Sequence, residues 1–277
     1  MPKTILDTIL ETKRKEVAAL RAEVGVEFLK AQAADGPQVR NFFQAVTKPP
    51  LRRVNLIAEI KRASPSAGVI REDFDPVAIA KRYEQGGADA LSVLTDEAYF
   101  KGSLDYLRAV RQAVDLPLLR KDFIIDESQV YQARAAGADA ILLIAAALKP
   151  GPLLDLLILA TELRMTTLIE VHDADELLAV RSVVGFPHTA YSLLGINNRN
   201  LATFEVSLAT TLRLSGLAGE GVPIVSESGI RTRADVERLA AGGVKAILVG
   251  ETLMRYADVS EGIEALLGPL DGPRRQP

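Results

Sequence analysis

Glu59 with Lys61, Lys121, Glu170, and Asn197 with Arg199 stand at the C-terminal ends of short apolar runs. A charge in that place costs desolvation energy unless it serves a site. Further runs end at Thr95/Asp96, Ala146, Ser228 and Gly250. Two lysines and an arginine facing carboxylates suit proton transfer on an anionic substrate. Lysine becomes a usable acid or base when burial and cationic neighbours lower its pKa towards neutrality, and a desolvated glutamate is expected to rise to meet it. Strand side chains alternate, so Glu59 and Lys61 share a face, as do Asn197 and Arg199, and Ser226 and Ser228, and that face is expected to look into the site. The plainer alternative is a layer of salt bridges filling the interior, but charges gathered at strand ends more often belong to a site.

Two turns add a second signal. Ser228–Gly229 and Gly250–Glu251 follow the last two runs, where backbone N–H groups and the start of a short helix can receive a phosphate that glycine lets come close. Glu251 would contribute there only through its backbone N–H. The competing reading makes Gly229 and Gly250 ordinary turn glycines. Ser64–Pro65–Ser66 is a third polar turn at the same end. His172 shares a face with Glu170 and is expected to be a hydrogen-bonded bystander, because the lysines and glutamates already supply acid and base. His188 carries no signal. Phe100, Phe123, Leu142 and Ile144 read most simply as core, although the first two stand at strand ends or in the following loop and could floor a flat aromatic pocket.

These residues need elements to hold them, and an internal echo supplies the pattern. "GGADALSVL" at 86–94, "AGADAILLI" at 136–144 and "GGVKAILVG" at 242–250 each read as helix stop, turn and buried strand. Further strands are expected at 55–61, 116–123, 166–172, 193–199 and 223–228, with helices between them, one opened by Asp75–Pro76 as cap and first-turn proline. This alternation predicts parallel strands joined by right-handed crossovers, and eight even units suit a (βα)8 barrel better than a doubly wound open sheet. Ahead of them, Ile5, Ile9, Leu10, Val17 and Leu20 predict an amphipathic helix over 4–22, with a weaker one around 38–46 before Lys48–Pro49–Pro50. The expected organisation is one domain: a helical extension over 1–50, the barrel over 51–267 and a fraying tail over 268–277.

Composition narrows the chemistry. With 33 basic and 36 acidic residues the net charge is −3, which provides no field for nucleic acid or anionic lipid, so any anion must be bound locally. The chain has no cysteine and only two histidines, leaving no thiolate nucleophile and little for a metal site; no metal or cofactor is expected. Residues 1–16 are broken by Asp7, Glu11, Lys13, Arg14 and Lys15, and no apolar run reaches membrane-spanning length, so a soluble cytoplasmic protein is expected.

The chain resembles the indole-3-glycerol phosphate synthase family of tryptophan biosynthesis. The resemblance rests on "LIAEIKRASPSAG" at 56–68, "LLRKDFI" at 118–124, "LIEVHD" at 168–173, "LGINNRNL" at 194–201, "SESGI" at 226–230 and "LVGETLM" at 248–254, in order, each at its own strand. It runs from about Ile5 to Leu267, and the long extension, which would help cover the substrate's aromatic end, is also a family trait. It implies conversion of 1-(2-carboxyphenylamino)-1-deoxyribulose 5-phosphate to indole-3-glycerol phosphate, with ring closure and loss of CO2 and water. Lys121 would be the general acid at the ribulose carbonyl and Glu170 the partner in dehydration. Glu59, Lys61 and Asn197 would surround the reacting centre, with Lys61 and Arg199 steering the carboxylate or the phosphate. Ser228, Gly229, Gly250 and Glu251 match the phosphate site, and Ser64 and Glu227 further substrate contacts. The expected partner is thus an anionic sugar phosphate bearing an anthranilate group, handled by a monomer, with a dimer as the alternative. Ala67 and Lys101 depart from the family's common residues, both in loops. Phosphoribosylanthranilate isomerase is the nearest rival, but it lacks the extension and lysines such as Lys61 and Lys121. A catalytically dead regulatory barrel would be marked by loss of Lys121 or Glu170, and both are present.

Overall fold

Gly87, Gly137 and Gly243 take φ of 81°, 91° and 82°, the left-handed turn that ends each preceding helix and starts the next strand, as the echo predicts. The structure is a computed structural model that describes residues 4–184, 191–201 and 203–270. His188 and the end of the expected tail lie outside the described residues.

The strands are β1 (Asn55–Ile60), β2 (Ala90–Leu94), β3 (Leu118–Lys121), β4 (Ala140–Ile144), β5 (Thr166–Val171), β6 (Ser192–Asn197), β7 (Ile224–Glu227) and β8 (Ala246–Val249). They close into a parallel barrel in chain order, with β1 paired to β2 through Ile57–Ala90 and to β8 through Asn55–Ala246. Closure leaves no free edge, and the helices cover the outer face. An open doubly wound sheet is thereby excluded. Several strands stop short of their expected ends, β3 at Lys121 instead of 123 and β6 at Asn197 instead of 199, because the last residues turn into the mouth loops. A short hairpin, Ala63–Ser64 with Gly68–Val69, sits in the loop after β1 and was not expected from sequence.

Two cores result. Leu56, Ile60, Leu91, Leu118 and Ile141 pack outward against the helices, while Ile57, Ala90, Leu119, Ala140, Leu142, Leu168, Leu193, Val225, Ala246 and Leu248 fill the barrel. The inner ladder decides what reaches the mouth. One step of two residues from Ile57, Leu119, Leu168 and Val225 leads to Glu59, Lys121, Glu170 and Glu227. On β7 the inward parity is therefore odd, which corrects the expectation for Ser226. Its hydroxyl faces the helix layer, 2.8 Å from the Thr211 hydroxyl and 3.0 Å from Asn198 Nδ2.

The extension forms α1 (Ile5–Glu23), α2 (Val26–Ala34) and α3 (Phe42–Thr47). Thr4 caps α1 in a reciprocal box with Asp7. The helix expected around 38–46 is the shorter α3, begun by the Asn41 side chain accepting from the Gln44 N–H at 2.8 Å, and α2 was not foreseen. Phe42 and Val46 of α3 are fully buried and join the inner core, so this last helix of the extension stoppers the barrel end opposite the site. Asp75 caps the helix Pro76–Gln85 as predicted, accepting from the N–H groups of Val77 and Ala78 at 2.9 and 3.0 Å.

Candidate active site

At the C-terminal mouth every residue nominated above for catalysis, substrate or phosphate contact lines one cavity of about 510 Å³. Its floor is charged. Lys121 Nζ, at the end of β3, lies 2.9 Å from Glu170 Oε2 of β5 and 3.0 Å from Glu227 Oε2 of β7. Asn197 Nδ2, at the end of β6, donates to Glu170 Oε1 at 3.2 Å. Lys61 and Glu59 form their own pair at 2.7 Å. Leu142 and Ile144 line the cavity as well as the core, and Phe100 and Phe123 stand with ring centroids 6.0 Å apart along its wall. Ile5, Leu6 and Ile9 of α1 complete the apolar side. A flat ring can lie against that side while an anion reaches the other.

The proton affinities differ from the simple expectation of a lowered lysine and a raised glutamate. Burial alone would lower Lys121, but Glu170, Glu227 and Glu59 outweigh it and hold the ammonium well above the ordinary lysine value. Burial pushes Glu170 up, yet Lys121 and His172 hold it far below the usual carboxylate range. The rise falls on Glu227. Burial takes it to about 7, with Glu170 and Glu59 adding to the effect and Lys121 resisting it. Its Oε1 is buried and finds no hydrogen-bond partner among the described residues. Gly195 allows this placement, since a Cβ there would collide with Glu227 Oε1.

Gly250 and Gly229 do more than open a turn. A Cβ on Gly250 would strike the Glu59 carboxylate, and one on Gly229, at φ 78°, would strike Val206. Gly250 therefore makes room for a charged side chain of β1. Ser228 takes φ 67°, which is uncommon outside glycine, and its carbonyl accepts from Asn198 Nδ2 at 3.1 Å. Asn198, 2% exposed, also donates to the Glu227 carbonyl and accepts from Thr211, so it pins the loops after β6 and β7. The sequence reading passed over it, with only the Asn–Asn doublet as a hint. Arg231 and Arg255 also line the cavity and were missed; Arg255 is tied to Glu251 at 2.7 Å.

His172 does not line the cavity. Its Nε2 is 3.2 Å from Glu170 Oε1 and its Nδ1 3.1 Å from Glu176 Oε2. Burial lowers it, but these carboxylates raise its pKa to about 10, so it is an imidazolium at neutral pH that helps to keep Glu170 ionised. Bystander describes its distance from the cavity, not its electrostatic weight.

A closed parallel barrel with an ammonium shared by carboxylates at the C-terminal mouth defines a (βα)8-barrel enzyme of the acid–base type. Comparison with known proteins narrows the class. A family model described as indole-3-glycerol phosphate synthase matches residues 6–266. Proteins of that name from Rhodopirellula baltica and Neisseria gonorrhoeae are 53% and 54% identical over 264 and 263 residues, covering 95% of this chain in each case and 99% and 98% of those proteins. The chain belongs to the indole-3-glycerol phosphate synthase family. Among solved structures, 3-hexulose-6-phosphate synthase superposes with a TM-score of 0.60 at 16% identity, covering 77% of this chain and 98% of that one. Thiamine phosphate pyrophosphorylase from Pyrococcus furiosus gives 0.55 at 17%, covering 78% and 95%. At such identities these two share the fold alone.

Proposed function

We propose that this chain is a carboxy-lyase that converts 1-(2-carboxyphenylamino)-1-deoxyribulose 5-phosphate to indole-3-glycerol phosphate, with Glu59, Lys61, Lys121, Glu170 and Asn197 as the catalytic set. The observation that carries the reading is the Lys121 ammonium held between Glu170 and Glu227 on the floor of a cavity whose far wall is apolar and aromatic. The ring carbon that bears the carboxylate attacks the ribulose carbonyl, and the oxygen takes a proton from Lys121 as the C–C bond forms. A donor held strongly protonated is matched to an alkoxide, so its proton moves as negative charge develops. Loss of CO2 returns the bonding pair to the ring. The new hydroxyl then leaves as water with a second proton, and the carbon beside nitrogen yields one to a base. Glu170, kept ionised, is the partner in that dehydration half. Phe100 and Phe123 hold the aromatic end with Ser64, while Ser228, Gly229, Gly250 and Glu251 receive the phosphate and Lys61 and Arg199 steer the substrate's anionic groups. The proposed set is complete within one chain, so a monomer suffices to build the site. Among the described residues no helix is long and apolar enough to cross a membrane.

Indole fluorescence on incubation with the carboxyphenylamino sugar phosphate tests the reading, and a folded protein that gives none overturns it.

Glu227, in contact with Lys121 and titrating at about 7, returns a proton to the lysine between steps. The activity profile is therefore expected to show an inflection near neutrality that is absent in Glu227→Gln. The stability of the same variant provides a second check. A carboxyl raised from 4.5 to about 7 on folding is stabilising when protonated, and that contribution is lost as pH rises through 7. The melting temperature of Glu227→Gln should therefore gain on the parent between those values and hold a constant lead above them. An inflection unchanged in the variant would assign it to another group.

Gly250→Ala separates the two jobs of its turn. The added methyl meets Glu59, so kcat is expected to fall about tenfold to a hundredfold while KM changes less. If instead KM alone rises, and only for a phosphorylated substrate compared with a phosphate-free analogue, the turn acts purely as an anion cradle.

A further inference from the structure

Lys13 sits in the middle of α1 and is 3% exposed. Its Nζ is 2.9 Å from Asp96 Oδ2, 2.9 Å from Asp122 Oδ1 and 2.7 Å from Glu16 Oε2. Glu16 is exposed, so the two aspartates, 0% and 3% exposed, are what the ammonium is buried for. Both lie in the loops after strands that bear the cavity. Asp96 Oδ1 accepts from the N–H groups of Tyr99 and Phe100 at 2.8 and 3.1 Å, fixing the short helix Glu97–Phe100. Asp122 Oδ1 accepts from the Phe123 N–H at 2.8 Å, and Asp122 directly follows Lys121. Each aspartate thus holds the backbone of one of the two aromatic residues on the cavity wall. Ile5 and Ile9, two turns and one turn before Lys13 on the same face of α1, close over the same cavity. The Tyr99 hydroxyl ties that face down again, 2.8 Å from the Thr12 hydroxyl.

We propose that Lys13 is a positioning residue for the aromatic end of the substrate, acting through Asp96 on Phe100 and through Asp122 on Phe123 while holding α1 over both. This rests on the proposed reaction, which places an aryl group against those rings. Lys13 touches neither the cavity nor the catalytic lysine's partners, so its effect falls on binding and not on proton transfer. The charged groups around the two aspartates are Lys13 and Glu16 from α1 and Arg120 from β3. With Lys13 removed, Asp122 keeps Arg120 at 3.1 Å from its Oδ2, while Asp96 loses the cation it is buried against. A buried carboxylate left without its cation loosens the loops that carry the two rings.

Steady-state kinetics of Lys13→Met test this. KM is expected to rise about tenfold or more with kcat within about threefold of the parent. In Lys13→Met/Asp96→Asn one buried charge is removed with the other, so KM should recover substantially. The double variant also keeps the test open if the single one does not fold. An unchanged KM in the single variant, no recovery in the double variant, or a kcat that falls in step with the rise in KM overturns the inference. A parent protein that produces no indole would instead overturn the proposed reaction, so the two failures are distinct.

Discussion

Lys121→Met is expected to lower turnover on the order of a thousandfold or more, the upper range for an acid–base group, with KM changed much less. The substitution removes the proton donor and also the cation that Glu170 and Glu227 share at 2.9 and 3.0 Å. Two buried carboxylates facing that gap do not both stay ionised, and the proton goes to Glu227, already raised to about 7. Charge imbalance could therefore slow the enzyme by itself. Lys121→Met/Glu227→Gln restores the balance without restoring the donor, so it should remain as slow as the single variant. Recovery in the double variant would make Lys121 an electrostatic support. Near-normal turnover in a folded single variant would remove it from the chemistry altogether.

Glu170→Gln is expected to lower the rate of indole formation about a hundredfold to ten-thousandfold. Glutamine can still present an oxygen to Lys121, 2.9 Å from the carboxylate, while its NH2 then faces the Asn197 donor and that 3.2 Å bond is lost together with basicity. Because Glu170 is assigned to the dehydration half, a single turnover in the variant should release CO2 well before indole fluorescence appears. In the parent the two signals should run close together. Equal slowing of both in Glu170→Gln would move this carboxylate to ring closure and require another base for the carbon-bound proton.

Much of this site was legible because a barrel strand gives a local signal: apolar residues buried on both faces, then a charge. Glu59, Lys121, Glu170 and Asn197 announce themselves in that way, and each does reach the cavity. Ser226 shows where the signal stops. In "IVSESG" both faces of β7 are buried and polar residues crowd its end, so no alternation distinguishes Ser226 from Glu227. Only pairing with β6 and β8 turns Val225 and Glu227 inward and leaves Ser226 to Thr211. Lys13 shows the reverse problem. Between charged neighbours on an amphipathic helix it reads as one more solvated residue, and only docking on the loops after β2 and β3 buries it.

The sequence by itself determined the βα period, the parallel barrel, the amphipathic extension and the residue types at most strand ends, since each follows from short-range patterning of apolar, charged and glycine residues. Its six ordered motifs also carried the resemblance to the family. Tertiary structure alone decided how those residues act on one another. Lys121 meets Glu227 across 106 residues of chain, and that contact helps to keep the lysine protonated. Burial and nearby carboxylates make Glu227 the group that titrates at about 7, while Lys121 and His172 leave Glu170 ionised. Gly250 must be small because of Glu59, nearly two hundred residues earlier, whatever its own turn also requires. Proton affinity, inward parity and close approach are properties of what lies across the barrel, and distance along the chain carries no record of them.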